Sequence, residues 1–150
     1  GVIVQNGLGQ NRQIPITISE TAPELFVWNS GDVIAFNQNG TVNSAANPVE
    51  NRGAIVFYAT GAGLWNQDVR AGQVVFAPIG ALEVKPKAPL SVKIGGREAR
   101  LFWFGAAAGT AGVIQVNAFV PEDIGSGPQP IELTIGANSN LPQVVTVHVR

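Results

Sequence analysis

Apolar side chains recur at every second position along much of the chain. Ile14, Ile16 and Ile18 alternate with Pro15 and Thr17, Val92 and Ile94 flank Lys93, and Val145, Val147 and Val149 alternate with Thr146 and His148. A period of two sends successive side chains to opposite faces of a strand, so these segments predict half-buried strands. No dozen-residue window carries apolar groups at the spacing of an amphipathic helix, and 18 glycines and 10 prolines puncture the candidates. Two runs are apolar on both faces, "AIVFYA" (54–59) and "ARLFWF" (99–104), and both are expected as central strands.

Between these segments stand turn signals: Asn6-Gly7, Asn39-Gly40, Gly95-Gly96 and the Gly136 region. Each supplies the positive φ that a tight hairpin demands. Short strands at this spacing predict an all-β, immunoglobulin-like antiparallel β-sandwich of about ten strands. Its expected core is Ile16, Ile34, Phe36, Ile55, Phe57, Val92, Ile94, Leu101, Trp103, Ile114, Val116, Val145 and Val147. Trp28 also lies in strand-like text and is expected inside.

The two ends of the chain echo one another. Displaced by 129 residues, Val2, Val4, Gly7, Asn11, Ile16 and Ile18 fall on Ile131, Leu133, Gly136, Asn140, Val145 and Val147. Both ends therefore spell one kind of hairpin. The C-terminal copy closes the sandwich; the N-terminal copy either adds an edge to it or ends a preceding module. Residues 1–22 are accordingly expected as an extra N-terminal hairpin and 23–150 as the sandwich domain. "TAPELFV" (21–27) reads as the connector between them, because Pro23 lacks a ladder donor. "VKPKAPLS" (84–91) and "GSGPQPI" (125–131) read as loops inside the domain.

Composition sharpens this picture in three ways. A chain of 150 residues buries a sizeable core without staples, so one sandwich suffices. Charged residues are 13% of the chain, against roughly 25% in an average soluble protein, leaving Gly, Asn, Gln, Ser and Thr to supply polarity. The net charge of −1 comes with cations scattered singly, which excludes a phosphate-tracking basic stripe and a nucleic-acid partner. Membrane insertion is not expected either, since no apolar run approaches the ~20 residues of a spanning helix. The absence of cysteine leans towards export, with any signal peptide outside the sequence given, whose ends fall inside strand-like text.

The ordered set "NQNGTVNSAANP", "RGAIVFYATGAG", "SVKIGGREARLFWFG", "GVIQVNAFVPED" and "PIELTIGANSN" resembles the Solibacter uncharacterised C-terminal domain family over roughly residues 20–149. That family sits at the ends of large secreted acidobacterial proteins. The resemblance implies an extracellular accessory domain of unknown activity, with no catalytic or ligand residues to carry over. The Gly-Gly hairpin before an Ala-containing strand, ending in "NAFVPED", is also similar to IPT/TIG-type immunoglobulin-like sandwiches. The chain departs from the family's pattern at Phe104, at "AAAGTAGVI" and at Trp65.

Candidate chemistry is sparse. In "NQNGTVNSAANP" (37–48), Asn39-Gly40 predicts a hairpin with Thr41 and Val42 on the return, while Asn43, Ser44 and Asn47 satisfy nearby backbone in Asx-type turns; a polar ligand groove is the alternative. Calcium needs several clustered carboxylates, whereas Asp32, Asp68 and Asp123 are isolated in sequence. The single histidine, His148, reads as a solvent-side strand residue with no second ligand or nucleophile to serve. Glu122 and Asp123 are adjacent, so alternation aims them apart rather than into one glycosidase cleft. "GAGLWNQ" (61–67) lacks the lysine of a phosphate loop. Its Trp65 could stack on a sugar ring, with Asn66, Gln67 and Asp68 as hydrogen-bonding groups, or fold back to plug the end of the core. The expectation is a non-catalytic extracellular module of a larger secreted protein, needing no cofactor and partnered by other domains of its own polypeptide. A module that binds carbohydrate or cell surface through Trp65, Asn66 and Asp68 is the alternative.

Overall fold

The "AIVFYA" run becomes β5 (Ala54–Thr60), a seven-residue strand that pairs on both of its edges. In the computed structural model all residues are described except 1, 2, 4, 7, 8, 11, 12, 77–82 and 142, together with the side chains of Asn6 and Gln10. Before β5 come β1 (Gln5–Asn6), β2 (Gly9–Gln10), β3 (Glu24–Leu25) and β4 (Ala35–Asn37). After it come β6 (Leu90–Ile94), β7 (Arg97–Glu98), β8 (Arg100–Ala106), β9 (Ile114–Phe119), β10 (Gly127–Ile135), β11 (Asn138–Ser139) and β12 (Thr146–Val149). No helix occurs among the described residues.

Two five-stranded sheets make an all-β sandwich. One has the order β3-β5-β9-β8, with β4 also paired to β5; the other has the order β11-β10-β6-β7, with β12 also paired to β10. All these pairings are antiparallel. The backbone of β12 ties the sheets together: Val33 N–H donates to Thr146 O and Val49 N–H to His148 O, both at 2.9 Å. Between the sheets lies one continuous apolar cluster that includes Ile55, Phe57, Val92, Ile94, Ile114, Val116, Val145 and Val147, all buried, with Leu101 partly buried against it. Those members of the expected core are in place because each strand's alternation is read correctly there.

Four expected core members are elsewhere. Ile34 and Phe36 are only half-buried, and Val33 and Ala35 point inward instead. Ala35 sits opposite Phe57 and Phe36 opposite Val56, so the register puts Phe36 on the outer face, edge-on to Tyr58 with centroids 6.4 Å apart. A one-residue shift of alternation moves every side chain to the other face. Trp103 leaves the core through a β-bulge: Leu101 opposes Ala118, Trp103 opposes Asn117, and Phe102 is the extra residue between them. The bulge returns Phe104, not Trp103, to the core side. Ile16 is 51% exposed, and Ile14 and Ile18 are exposed with it, so this alternation is not a half-buried strand of the sandwich.

Trp28, also expected inside, is exposed because a tight turn holds it, with Gly31 N–H donating to Trp28 O and Trp28 N–H to Asp32 O. The "ARLFWF" run becomes β8, which ends its sheet rather than lying centrally. On its outer side Phe102 packs on Phe119 at 4.7 Å and the Arg100 guanidinium lies 4.0 Å from the Phe119 ring, while on its free edge Ala106 N–H donates to Val84 O.

The "GSGPQPI" stretch is strand rather than loop from Gly127 onward. Ile131 N–H faces β12, donating to Val145 O, so the neighbouring Pro130 nitrogen faces the opposite edge. There β6 has already ended at Ile94 and only Gly95 N–H approaches, donating to Pro130 O. The missing proline donor therefore costs no ladder bond. "TAPELFV" likewise holds the short β3, because Thr21, Pro23 and Leu25 alternate inward. The turn signals fare better. Gly95 and Gly96 take φ of 59° and 75° in the β6–β7 hairpin. Gly40, at φ 79°, closes a loop in which Asn37 N–H donates to Thr41 O. Of the Asn6-Gly7 signal, Gly7 lies outside the described residues, while Asn6 ends β1, which pairs antiparallel with β2.

Candidate functional site

The long connection from β5 to β6 is where the sequence places Trp65, Asn66 and Asp68. It departs from β5 through Gly61 at φ 78°, where a Cβ would lie 1.7 Å from Ala22 O, so only glycine lets the two segments pass. Lys87 N–H donates to Leu64 O and Asn66 N–H to Lys85 O, which staples residues 64–66 against 85–87. The Asn66 side chain extends that staple: its Oδ1 accepts from Lys85 N–H at 2.9 Å and its Nδ2 donates to Glu83 O at 3.1 Å.

Trp65 is half-buried and packs against both the main core and a smaller cluster of Val75, Val84 and Ala106. It thus plugs the end of the sandwich, yet one side of it faces an open groove of about 380 Å³ shared with Leu64, Gln67, Asp68 and Arg70. The structure brings Trp65 and Asp68 to one surface. Asn66 is engaged with backbone rather than turned to that groove. Glu83 is held below the usual carboxylate range by its hydrogen bond to Lys85, and also accepts from the Trp103 indole N–H at 3.0 Å.

A second polar cluster was not visible as such in the sequence. Asp32, isolated in the chain, meets β12: Thr146 Oγ1 donates to Asp32 Oδ1 at 2.7 Å, His148 Nε2 lies 3.1 Å from the same oxygen, and Ser30 Oγ donates to Oδ2 at 2.9 Å. His148 is on the outer face as expected, but this cover leaves its side chain only 14% exposed. The Thr146 hydroxyl, followed by Ser30 and the nearby His148, pulls the Asp32 carboxyl below its ordinary value of 3.8 against a smaller opposing effect of burial. A lowered folded-state pKa stabilises the fold above the unfolded value, and that contribution disappears as pH falls through the folded value. Asp32→Ala is therefore expected to cost about 1.5–3 kcal/mol at neutral pH, the scale of hydrogen bonds to a charged group. In urea titrations the gap between variant and parent should shrink below pH 4; a gap that persists at pH 2 would contradict the assignment.

The remaining sequence candidates stay apart. Glu122 pairs with Arg52 at 2.7 Å on the surface, while Asp123 occupies a positive-φ turn. No group of three or more Asp, Glu or His able to hold a metal ion occurs among the described residues. The asparagine-rich stretch borders a shallow polar depression of about 490 Å³, walled by Asn37, Gln38 and Asn39 and by the Glu50–Arg150 ion pair. Ser44 and Asn47 make the expected local turn, and Asn39 Oδ1 accepts from Thr41 N–H at 3.1 Å. Asn43 does not stay local. It is buried and clamps His148, accepting from its N–H and donating to its carbonyl, both at 2.8 Å.

Asn140 and Gln143 play the same part elsewhere. Asn140 Oδ1 accepts from Leu133 N–H at 2.7 Å, and the Gln143 amide bonds both the N–H and the carbonyl of Leu25. The uncharged polar residues thus act as surrogate backbone at gaps in the ladders, and no buried side-chain N or O lacks a partner among the described residues. Among the described residues no helix is long and apolar enough to cross a membrane. No family model matches the chain, and neither the curated proteins nor the solved structures give a match.

Proposed function

We propose that this sandwich is a non-catalytic accessory module of a larger exported protein, acting outside the cell to hold neighbouring domains apart at a set distance. The supporting observation is where the chain is anchored. Thr21 is buried, its hydroxyl donating to Ile135 O at 2.7 Å while Asn138 Nδ2 donates to the Thr21 carbonyl at 3.0 Å. At the other end Val149 pairs with Gly127. Ile135 and Gly127 are the two ends of β10, roughly 26 Å apart at 3.3 Å per residue. The anchors at Thr21 and Val149 thus lie at opposite poles of the sandwich, an arrangement that suits a rigid spacer.

Spectroscopic labels on the flanking domains of the parent polypeptide test this. Exchanging residues 21–150 for a flexible Gly/Ser segment should broaden the measured distance distribution without abolishing the flanking activities. An unchanged distribution, or recovery of the parent protein only from the cytoplasm, counts against the spacer reading.

Carbohydrate binding remains the second reading, favoured by Trp65 and Asp68 lining one groove. It predicts saturable glycan binding with a shift in tryptophan emission, lost in Trp65→Ala. Because Trp65 also packs on the core, Asp68→Ala is the cleaner variant, expected to weaken binding about tenfold while leaving the unfolding midpoint in place. A flat glycan array ends that reading.

A further inference from the structure

We infer that β1, β2 and residues 13–20 belong to the closing hairpin of a second sandwich of this same architecture, N-terminal to this one in the polypeptide, and that the two sandwiches abut at Glu20–Thr21 without a linker. This names the neighbour that the spacer reading leaves open. It rests on that reading only for its biological use.

The first ground is register. β1 and β2 pair Gln5 with Gln10 and Asn6 with Gly9. Displaced by 129 residues, those four positions become Thr134 with Ser139 and Ile135 with Asn138, which is the observed pairing of β10 with β11. A sequence echo of scattered valines and isoleucines does not require identical pairing; a shared hairpin does. Thr17 meanwhile falls on Thr146, and Ile16 and Ile18 fall on Val145 and Val147.

The second ground is burial. Val145 and Val147 are buried between the sheets, whereas Ile16 and Ile18 are 51% and 86% exposed. Among the described residues, β1 and β2 pair only with one another and join neither five-stranded sheet. The N-terminal hairpin therefore has the pairing of the closing hairpin without its packing partner. In this sandwich the closing-hairpin place is already taken by its own β10, β11 and β12, and β1 and β2 pair with none of its strands among the described residues. The missing partner is another sandwich. It is of the same type rather than an identical copy, since Asn6 and Glu20 stand where Ile135 and Val149 are buried.

The third ground is the junction. The same displacement carries β12 (Thr146–Val149) onto Thr17–Glu20, so the next residue, Thr21, begins the following module. Thr21 is also the residue clamped by Ile135 and Asn138, and Ala22 N–H donates to Gly61 O at 3.0 Å. With no free residue between one sandwich's last strand and the next one's first anchor, the relative orientation is restrained. The face beside the junction is a groove of about 340 Å³ lined by Glu20, Thr21, Leu64, Lys87 and Ala88, with Leu64 74% exposed. Leu64 is positioned to pack against the preceding sandwich.

The test compares this 150-residue chain with the natural polypeptide extended upstream by one period. Amides of residues 14–20 should exchange freely in the shorter chain and slow by about 100-fold or more in the longer one. Deleting residues 1–19 from the shorter chain should leave its unfolding midpoint within about 2 °C. In the longer chain Leu64→Glu should broaden the two-lobed particle seen by small-angle scattering while the slowed amides stay slow. Free exchange of residues 14–20 in the longer chain overturns the inference. So does a deletion that lowers the midpoint by more than about 5 °C, or abolishes folding, because the arm would then belong to this sandwich. Glycan binding by the sandwich would displace the spacer reading and leave this inference standing.

Discussion

Phe57→Ala is expected to destabilise the sandwich by about 4 kcal/mol, the range measured for aromatic truncations in closed cores. Phe57 is the bulkiest of the fully buried side chains, on the central strand β5, and opposes Ala35 on one neighbour and Val116 on the other. Ala35 is too small to fill the space left, and the backbone on both edges of β5 is held by ladders, so the site has little freedom to collapse. Against a typical stability of about 5–15 kcal/mol, the loss brings the fold close to its threshold. Urea unfolding should show the midpoint falling with an unchanged slope. A loss under about 1 kcal/mol would mean that the sheets do not pack through this residue.

Asn43→Leu is expected to cost about 3 kcal/mol, although the residue lies in a stretch that reads as a polar connector. The leucine matches the volume but leaves His148 N–H without its partner and removes one of the two donors to His148 O. It also strips the Asn37 carboxamide oxygen of its bond from Asn43, at 3.0 Å. Each orphaned buried group costs about 1–3 kcal/mol. Ser44→Ala, one residue on, should cost under about 1 kcal/mol because Ser44 serves only its own turn, bonding Asn47 N–H at 3.2 Å. Comparable losses at the two positions would refute the cross-chain role of Asn43. Asn43→Asp separates the two halves of the clamp, because a carboxylate still accepts from His148 N–H but no longer donates to the carbonyl.

The "NQNGTVNSAANP" stretch shows how far local chemistry reaches. The turn at Asn39-Gly40 and the Ser44–Asn47 loop depend on groups within a few residues of one another, and both form where the sequence places them. Asn43 has the same residue type and the same neighbourhood, but its partner lies 105 residues away. Nothing in the sequence marks which asparagine will bridge two sheets. The Trp65 region divides in the same manner. Two glycines before a Trp and polar residues after it announce an irregular loop, and the pairing of Asn66 with Glu83 and Lys85 decides that its amide closes the loop.

Composition and period alone determined that the chain is all-β, that its strands number about ten, and that Ile55, Phe57, Ile94, Ile114, Val116 and Val147 are interior. These follow from side-chain direction along an extended backbone, which is local and survives in a one-dimensional reading. Which face of β4 turns inward, where the bulge at Phe102 removes Trp103 from the core, and why Ile16 stands exposed while its counterpart Val145 is buried were decided by the tertiary structure. Each depends on register against a partner strand, and partners distant in sequence are chosen by the packing of the whole sandwich rather than by either segment.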